Sequence, residues 1–327
     1  MKKFTFLAIA GFFTISLMAQ LTWKINNPKL GFGNISEVYF TDENNGWAIS
    51  NEVSNNRIYK GIVYHSGNGG GQWDIQFEQE VGNDERFWGL FFVNNQKGWI
   101  VGGGGVCLRT TNGGKNWVKS NLPVNADLIN VFFYDENTGW VVGDFEGIFY
   151  TTDGGNSWDF ADQGTYDAHS DIFFFNNQVG IAIGLNEDYD KSRILKSTDG
   201  GLTWSTKYLF NDDDLNSVYF VDDNNGWAVG DGGNIIHSSD GGESWSVQES
   251  NVGWEFWKVR FVSQNKGSVC GAEGIIFTSD GGNTWTETSI TNQWLSGLCF
   301  VNQNKGYAVG KNEGWEAMAA YYTTNDG

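Results

Sequence analysis

Arg86, Trp88, Asp127, Asp214, Glu255, Trp257 and Trp294 stand at corresponding places of a repeating sequence, and their side chains could act on a ligand. Exposed tryptophan beside carboxylate suits stacking on a sugar ring. Two carboxylates at a suitable separation could also serve as the acid and base of a glycosidase, with Asp127 and Asp214 the pair in question. Metal chemistry finds less support. Asp42-Glu43-Asn44-Asn45-Gly46 begins like an EF-hand loop, but Gly falls at the fifth position rather than the sixth, and Val53 stands where the bidentate Glu belongs. Asp212-Asp213-Asp214 is a denser cluster that could hold a surface cation. His65, His169 and His237 lie in separate units without metal-ligand spacing, so neither a metal nor a cofactor is expected.

The candidate residues emerge from aligning seven short apolar runs on Val38, Leu90, Val131, Ile172, Val218, Val259 and Leu298. Four residues earlier stand Asn34, Arg86, Asp127, Ala168, Asp214, Glu255 and Trp294. Two residues earlier stand Ser36, Trp88, Ile129, Ser170, Asn216, Trp257 and Ser296. These two columns vary while the rest of each unit repeats, as expected of a site grafted on a fixed frame.

The frame is a phrase, Ser/Thr-x-Asp/Asn-Gly-Gly-x-x-Trp. Its Asp/Asn position is filled by Asn68, Asn112, Asp153, Asp199, Asp240, Asp280 and Asp326, at intervals of 44, 41, 46, 41, 40 and 46 residues. A period near 40 residues signals a repeat architecture. Upstream of each phrase, an apolar run enters an Asp/Asn-rich turn ending in Gly and an aromatic, at Gly46-Trp47, Gly98-Trp99, Gly139-Trp140, Gly226-Trp227 and Gly306-Tyr307. The turn is weaker at Gly180-Ile181 and Gly267-Ser268. The β-branched and aromatic runs between these turns read as four short strands per unit. Seven such units predict an all-β, seven-bladed β-propeller of four-stranded antiparallel blades over residues 20–327. Thr22-Trp23-Lys24-Ile25 resembles a fourth strand without its own unit, and the seventh unit lacks that strand. Either the Trp23 strand closes the last blade, or the chain is a fragment whose repeat continues beyond Gly327.

Within the phrase, the Asp carboxylate is expected to accept bonds from its own turn and the glycines to supply the unusual dihedrals. The Trp is expected to lie flat on the blade edge. Asn68 and Asn112 can cap without charge, which gives this position a structural role. The three cysteines are an odd number for a disulfide framework, and their strand positions predict buried free thiols.

Residues 1–19 read as a secretory leader, with Lys2 and Lys3 before an apolar run from Phe4 to Met18. That run is too short and interrupted for a membrane span. The net charge is −19, and −21 without the leader lysines, which argues against nucleic acid and anionic membranes as partners. The expected setting is outside the cytoplasm, secreted, periplasmic or on the cell surface.

The phrase is identified as the Asp-box, or bacterial-neuraminidase repeat. Together with the strand Gly226–Gly230, the units resemble the photosystem II stability/assembly factor family over about residues 22–327. That resemblance implies a non-enzymatic propeller that binds a protein, in that family a reaction-centre precursor met through a basic surface. This chain departs from the pattern. It has five arginines, Arg57, Arg86, Arg109, Arg193 and Arg260, and only Arg109 and Lys196 are basic in the column before the phrase. What carries over is the fold and a protein-binding or assembly role, with a partner in the cell envelope. The alternative is an extracellular polysaccharide held or cleaved at the Trp- and carboxylate-lined mouth. Sialidases share the repeat but need an arginine triad. Xyloglucanases use two carboxylates across a cleft that a second domain completes.

Overall fold

The computed structural model describes residues 23–25, 34–54, 57–82, 85–122, 126–144, 147–161, 168–186, 191–210, 213–312 and 318–324. The leader, Asp212 and Asp326 lie outside them.

One unit shows how the sequence makes a blade. The strand Leu215–Phe220 runs into a turn in which the Asp222 carboxylate accepts the N–H groups of Asn224 and Asn225 at 2.8 and 2.7 Å. Such local bonds compete with strand pairing and reverse the chain. The strand Gly226–Gly230 returns, Ile235–Ser238 follows, and Ser246–Gln248 completes an antiparallel sheet in sequence order. The second strand is buried along its whole length, because neighbouring blades cover both of its faces. The fourth strand is largely exposed.

The described residues form seven such four-stranded sheets. Their first strands are Asn34–Phe40, Phe87–Phe92, Leu128–Phe133, Ala168–Phe174, Leu215–Phe220, Phe256–Phe261 and Gln293–Phe300, which head blades 1 to 7. Each touches the next, and the seventh returns to the first, so the chain is an all-β propeller with these strands around its axis. In blade 7 the outer strand is Trp23–Ile25, paired antiparallel with Met318–Thr324 through Trp23 to Thr323.

Aromatic residues join the blades. Phe92, Phe133, Phe174 and Phe261 each stack on a Gly-Trp tryptophan of the preceding blade, as Trp99 does on Phe133 at 3.4 Å and 9°. Tyr307 stacks likewise on Phe40 across the junction of blades 7 and 1. The Asp-box tryptophans do not lie flat. Trp73, Trp117, Trp158, Trp204, Trp245 and Trp285 meet the phenylalanine of their own blade edge-on, at 81 to 88°. The expectation of a flat contact is corrected for a physical reason: the flat face of Phe92, Phe133, Phe174 and Phe261 is already covered by the neighbouring blade's tryptophan, and that of Phe40 by Tyr307. The glycine before that tryptophan is required because the phenylalanine ring of the same blade occupies the place a Cβ would take, as Phe40 does at Gly46.

The indole N–H groups add a second link. Trp47, Trp99 and Trp140 donate to the carbonyls of Gly113, Gly154 and Gly200 in the following blade's Asp-box, at 3.0 to 3.1 Å. At the junction of blades 5 and 6 the Gly281 carbonyl is taken instead by the Gln248 amide, at 2.9 Å.

Candidate binding site at the propeller axis

The Asp-box residues are occupied within their own turns. Asp153 accepts the Ser157 N–H at 3.0 Å and the Thr151 hydroxyl at 2.8 Å. Asp199, Asp240 and Asp280 repeat this pattern. Asn68 and Asn112 accept the N–H groups of Gln72 and Asn116 in the same way without charge. The Asp42 carboxylate caps its own turn through the N–H groups of Asn44 and Asn45. It also takes the Asn95 amide, which with those bonds holds its pKa well below the usual carboxylate range. His65 and His237 lie against Trp47 and Trp227, and burial lowers both their pKa values. The cysteines are free and buried.

The two variable columns separate into structural and exposed members. In the first, backbone carbonyls of Arg86, Asp127, Asp214 and Glu255 accept N–H groups from the end of the adjoining second strand, those of Gly103, Asp144, Asp231 and Ala272. This fixes all four residues at the same place on one face of the ring. Asp127 also ties down a turn with its carboxylate, which accepts the Gly104 N–H at 2.9 Å. In the second column, Ser170, Asn216 and Ser296 reach the next blade and donate to the carbonyls of Leu215, Phe256 and Ile35, at 2.7 to 2.9 Å.

Trp88, Trp257 and Trp294 come together. They line one recess of about 340 Å³ with Ser36, Ser296 and Lys311, over blades 6, 7, 1 and 2. Trp257 and Trp294 have ring centroids 5.5 Å apart, and Trp294 is 39 % exposed. The Lys311 ammonium lies 4.1 Å from the Trp294 ring centroid. Arg86, Asp127, Asp214 and Glu255 do not line this recess. The paired carboxylates weighed for glycoside cleavage therefore stand outside the aromatic platform.

Below the mouth the axis holds two belts that sequence reasoning missed. Each first strand carries a bulge at the residue of the second variable column, so that Ser36, Trp88, Ile129, Ser170, Asn216, Trp257 and Ser296 are left out of the ladder. The residues that follow the bulges include Glu37, Asn130, Asp171, Ser217 and Lys258, which bond across blades. Lys258 pairs with Glu37 at 2.8 Å, with the Glu37 side chain buried and that of Lys258 half-buried. Asp171 accepts the Ser217 hydroxyl at 2.9 Å, the Val218 N–H at 3.0 Å and the Asn130 amide. Two residues on, Tyr39, Phe91, Phe132, Phe173 and Tyr219 meet at tilts of 49 to 67° in sequence around the axis, with centroids 5.0 to 5.7 Å apart. Arg260 continues this circle over Tyr219 at 5.4 Å. Burial alone would lower the Arg260 pKa, but Asp171 and Glu37 raise it, so the guanidinium stays charged. First-strand residues of all seven blades enclose an axial cavity of about 240 Å³ here. The signal in the sequence is the column one residue after the alignment point, where five aromatics recur.

Comparison with known proteins agrees with the repeat reading. Residues 161–250 match the family model described as photosynthesis system II assembly factor YCF48. None of the curated proteins matches the chain. Among solved structures, YCF48 bound to D1 peptide is 19 % identical, with a TM-score of 0.73 over 92 % of this chain and 96 % of that one. YCF48 from Cyanidioschyzon merolae is 18 % identical, with a TM-score of 0.69 over 93 % and 98 %. The GH74 xyloglucanase from Xanthomonas campestris is 14 % identical, with a TM-score of 0.64 over 92 % of this chain and 53 % of that one. At these identities the structures establish the fold. The chain is an Asp-box propeller resembling the photosystem II assembly factor family.

Proposed function

We propose that this chain is an exported, non-enzymatic, seven-bladed propeller, closed by its Trp23 strand, that holds a protein partner of the cell envelope at the mouth of its axis. The observation that carries this reading is the convergence of Trp88, Trp257 and Trp294 from three blades on one recess. Clustered tryptophans anchor protein interfaces because each buries a large rigid area at little entropic cost. The likeness to a propeller whose structure is that of YCF48 bound to D1 peptide supports a polypeptide ligand. The acidic surface, net charge −19, separates this chain from a basic docking patch, so the partner differs in chemistry.

A displayed peptide library selected on the leaderless protein tests the reading, with Trp257→Ala and Trp294→Ala proteins as comparison. Enriched peptides should bind the wild type and weaken at least roughly tenfold on either substitution, as for an interface anchor. No enrichment, or binding indifferent to both substitutions, overturns it. N-terminal sequencing of the exported protein checks the cut after Ala19.

The same aromatic recess gives a second reading, a polysaccharide stacked on Trp257 and Trp294. Glycan-array binding by the wild type, lost in the folded tryptophan variants, would replace the protein partner with a sugar. Assays on Asp127→Asn and Asp214→Asn would then ask whether the sugar is also cleaved.

A further inference from the structure

The face that carries the tryptophan recess is charged mainly in one sense. Asp127, Asp144, Asp213, Asp214, Asp231 and Glu255 stand where the first strands begin or the second strands end. Their charges act on one another. The Asp144 pKa is raised by burial and by Asp127, and that of Asp214 by burial and by Asp231 and Asp213. Adding a positive group here relieves that repulsion.

On the same face, over blades 6, 7, 1 and 2, the recess already meets a cation. The Lys311 ammonium lies 4.1 Å from the centroid of Trp294, and Trp257 and Trp88 line the same recess. A cation over an indole face is attracted by the ring quadrupole, more strongly as water is excluded. Burial lowers the Lys311 pKa, in keeping with partial loss of its water shell. The two hydroxyls that line the recess are both engaged by the frame: that of Ser296 donates to the Ile35 carbonyl at 2.9 Å, and that of Ser36 accepts the Asn51 amide at 3.1 Å.

We propose that the recess formed by Trp88, Trp257 and Trp294 receives the ammonium or guanidinium group of a basic polypeptide segment, and that Lys311 is the internal occupant which such a group displaces. This rests on the protein-binding reading and adds the chemistry of the partner. The acidic rim draws the basic segment in, and the indole faces select the cation once it is inside. Lys311 competes for the same faces, so a neutral or acidic segment has nothing with which to replace it.

The test is titration of the full leaderless chain with a capped Gly-Lys repeat octapeptide and its Gly-Gln counterpart, followed by calorimetry and tryptophan fluorescence. The Lys peptide should bind and change the fluorescence, and the Gln peptide should not. Trp294→Ala should weaken binding roughly three- to thirty-fold, the span of a cation–π contact. Lys311→Gln should strengthen it, and by more than Arg86→Gln, which removes the same charge from the same face without freeing the recess. Equal binding of the Gln peptide, or Lys-peptide binding unchanged by both Trp294→Ala and Lys311→Gln, overturns the proposal. If library-selected neutral peptides bind at the mouth while the Lys peptide does not, the protein-binding function stands and the cation receptor falls. If no polypeptide binds, both fall.

Discussion

Trp23 meets Phe300 edge-on, with ring centroids 6.2 Å apart and planes at 63°. Six Asp-box tryptophans make the same contact with the phenylalanine that ends the first strand of their own blade. Trp23 thus fills in blade 7 the place that Trp285 fills in blade 6, although it comes from the other end of the described chain.

Trp23→Ala should therefore behave as a core truncation. Trp23 is 6 % exposed, and loss of a buried tryptophan costs about 3–5 kcal/mol. Urea unfolding of the leaderless protein measures this. A loss below about 1 kcal/mol would mean that blade 7 stands without its outer strand.

The links between Gly-Trp tryptophans and the next blade predict an unequal pair of substitutions. Trp99→Phe keeps the stack on Phe133 but strands the Gly154 carbonyl, at a cost of about 1–3 kcal/mol. Trp227→Phe should cost less, because its indole N–H has no partner and Gln248 already serves Gly281. Chemical denaturation of the two variants should rank them in that order.

The Asp-boxes predict the course of acid unfolding. The Ser157 N–H and its hydroxyl hold the Asp153 pKa down at about 2, and the Ser244 hydroxyl and N–H hold Asp240 there too. The unfolded carboxylates take up protons near the ordinary pKa of about 4. Below that value the unfolded chain binds more protons than the folded one, so stability falls as pH drops from about 4 towards 2. Above that window these groups give their full contribution. Asp153→Asn with Asp240→Asn should flatten the fall, as Asn68 and Asn112 cap without titrating. Unfolding midpoints at stepped pH values check it, and an unchanged slope would assign the acid response to other groups.

The thiols predict a silent native state. Burial pushes Cys107 up to about 12 and Cys299 up to about 11, and raises Cys270 further. A thiol reagent at pH 8 should leave the folded protein unlabelled and count three thiols after unfolding. Rapid labelling of one native thiol would reveal an opening of the strand that carries it.

Much of the frame is legible in the sequence because each blade repeats its own local chemistry. The Asp-box turn, the Gly-Trp turn and the strand that opens with Trp23 are read within a few residues. The mouth is half legible. Column alignment finds Trp88, Trp257 and Trp294, but gives the same weight to Asp127, whose carboxylate holds the Gly104 turn. Lys311 escapes it, since it lies near the end of the second strand of blade 7 and meets Trp294 only when that strand pairs with the first. The polar belt on the axis is hidden for a related reason, whereas the aromatic one leaves its column in the sequence. Glu37 and Lys258 stand alone in their own units and meet only when blades 1 and 6 reach one channel. Their facing also depends on a bulge that shifts register by one residue, and a pattern read with strict alternation puts them on the wrong side.

The pairing of Trp23 with Thr323 also has a consequence for the order of events in a living cell. Of the described strands, synthesis delivers that of Trp23 first and its partner about 300 residues later, so Trp23 waits unsheltered until blade 7 arrives. Until then the growing arc has two raw flanks, both rich in aromatic surface and unpaired backbone, where a second chain could dock by mistake. Completion removes both flanks at once. Folding of this protein should therefore depend on escorts that keep early blades apart, and a chain stalled late should be more hazardous to its host than one stalled early.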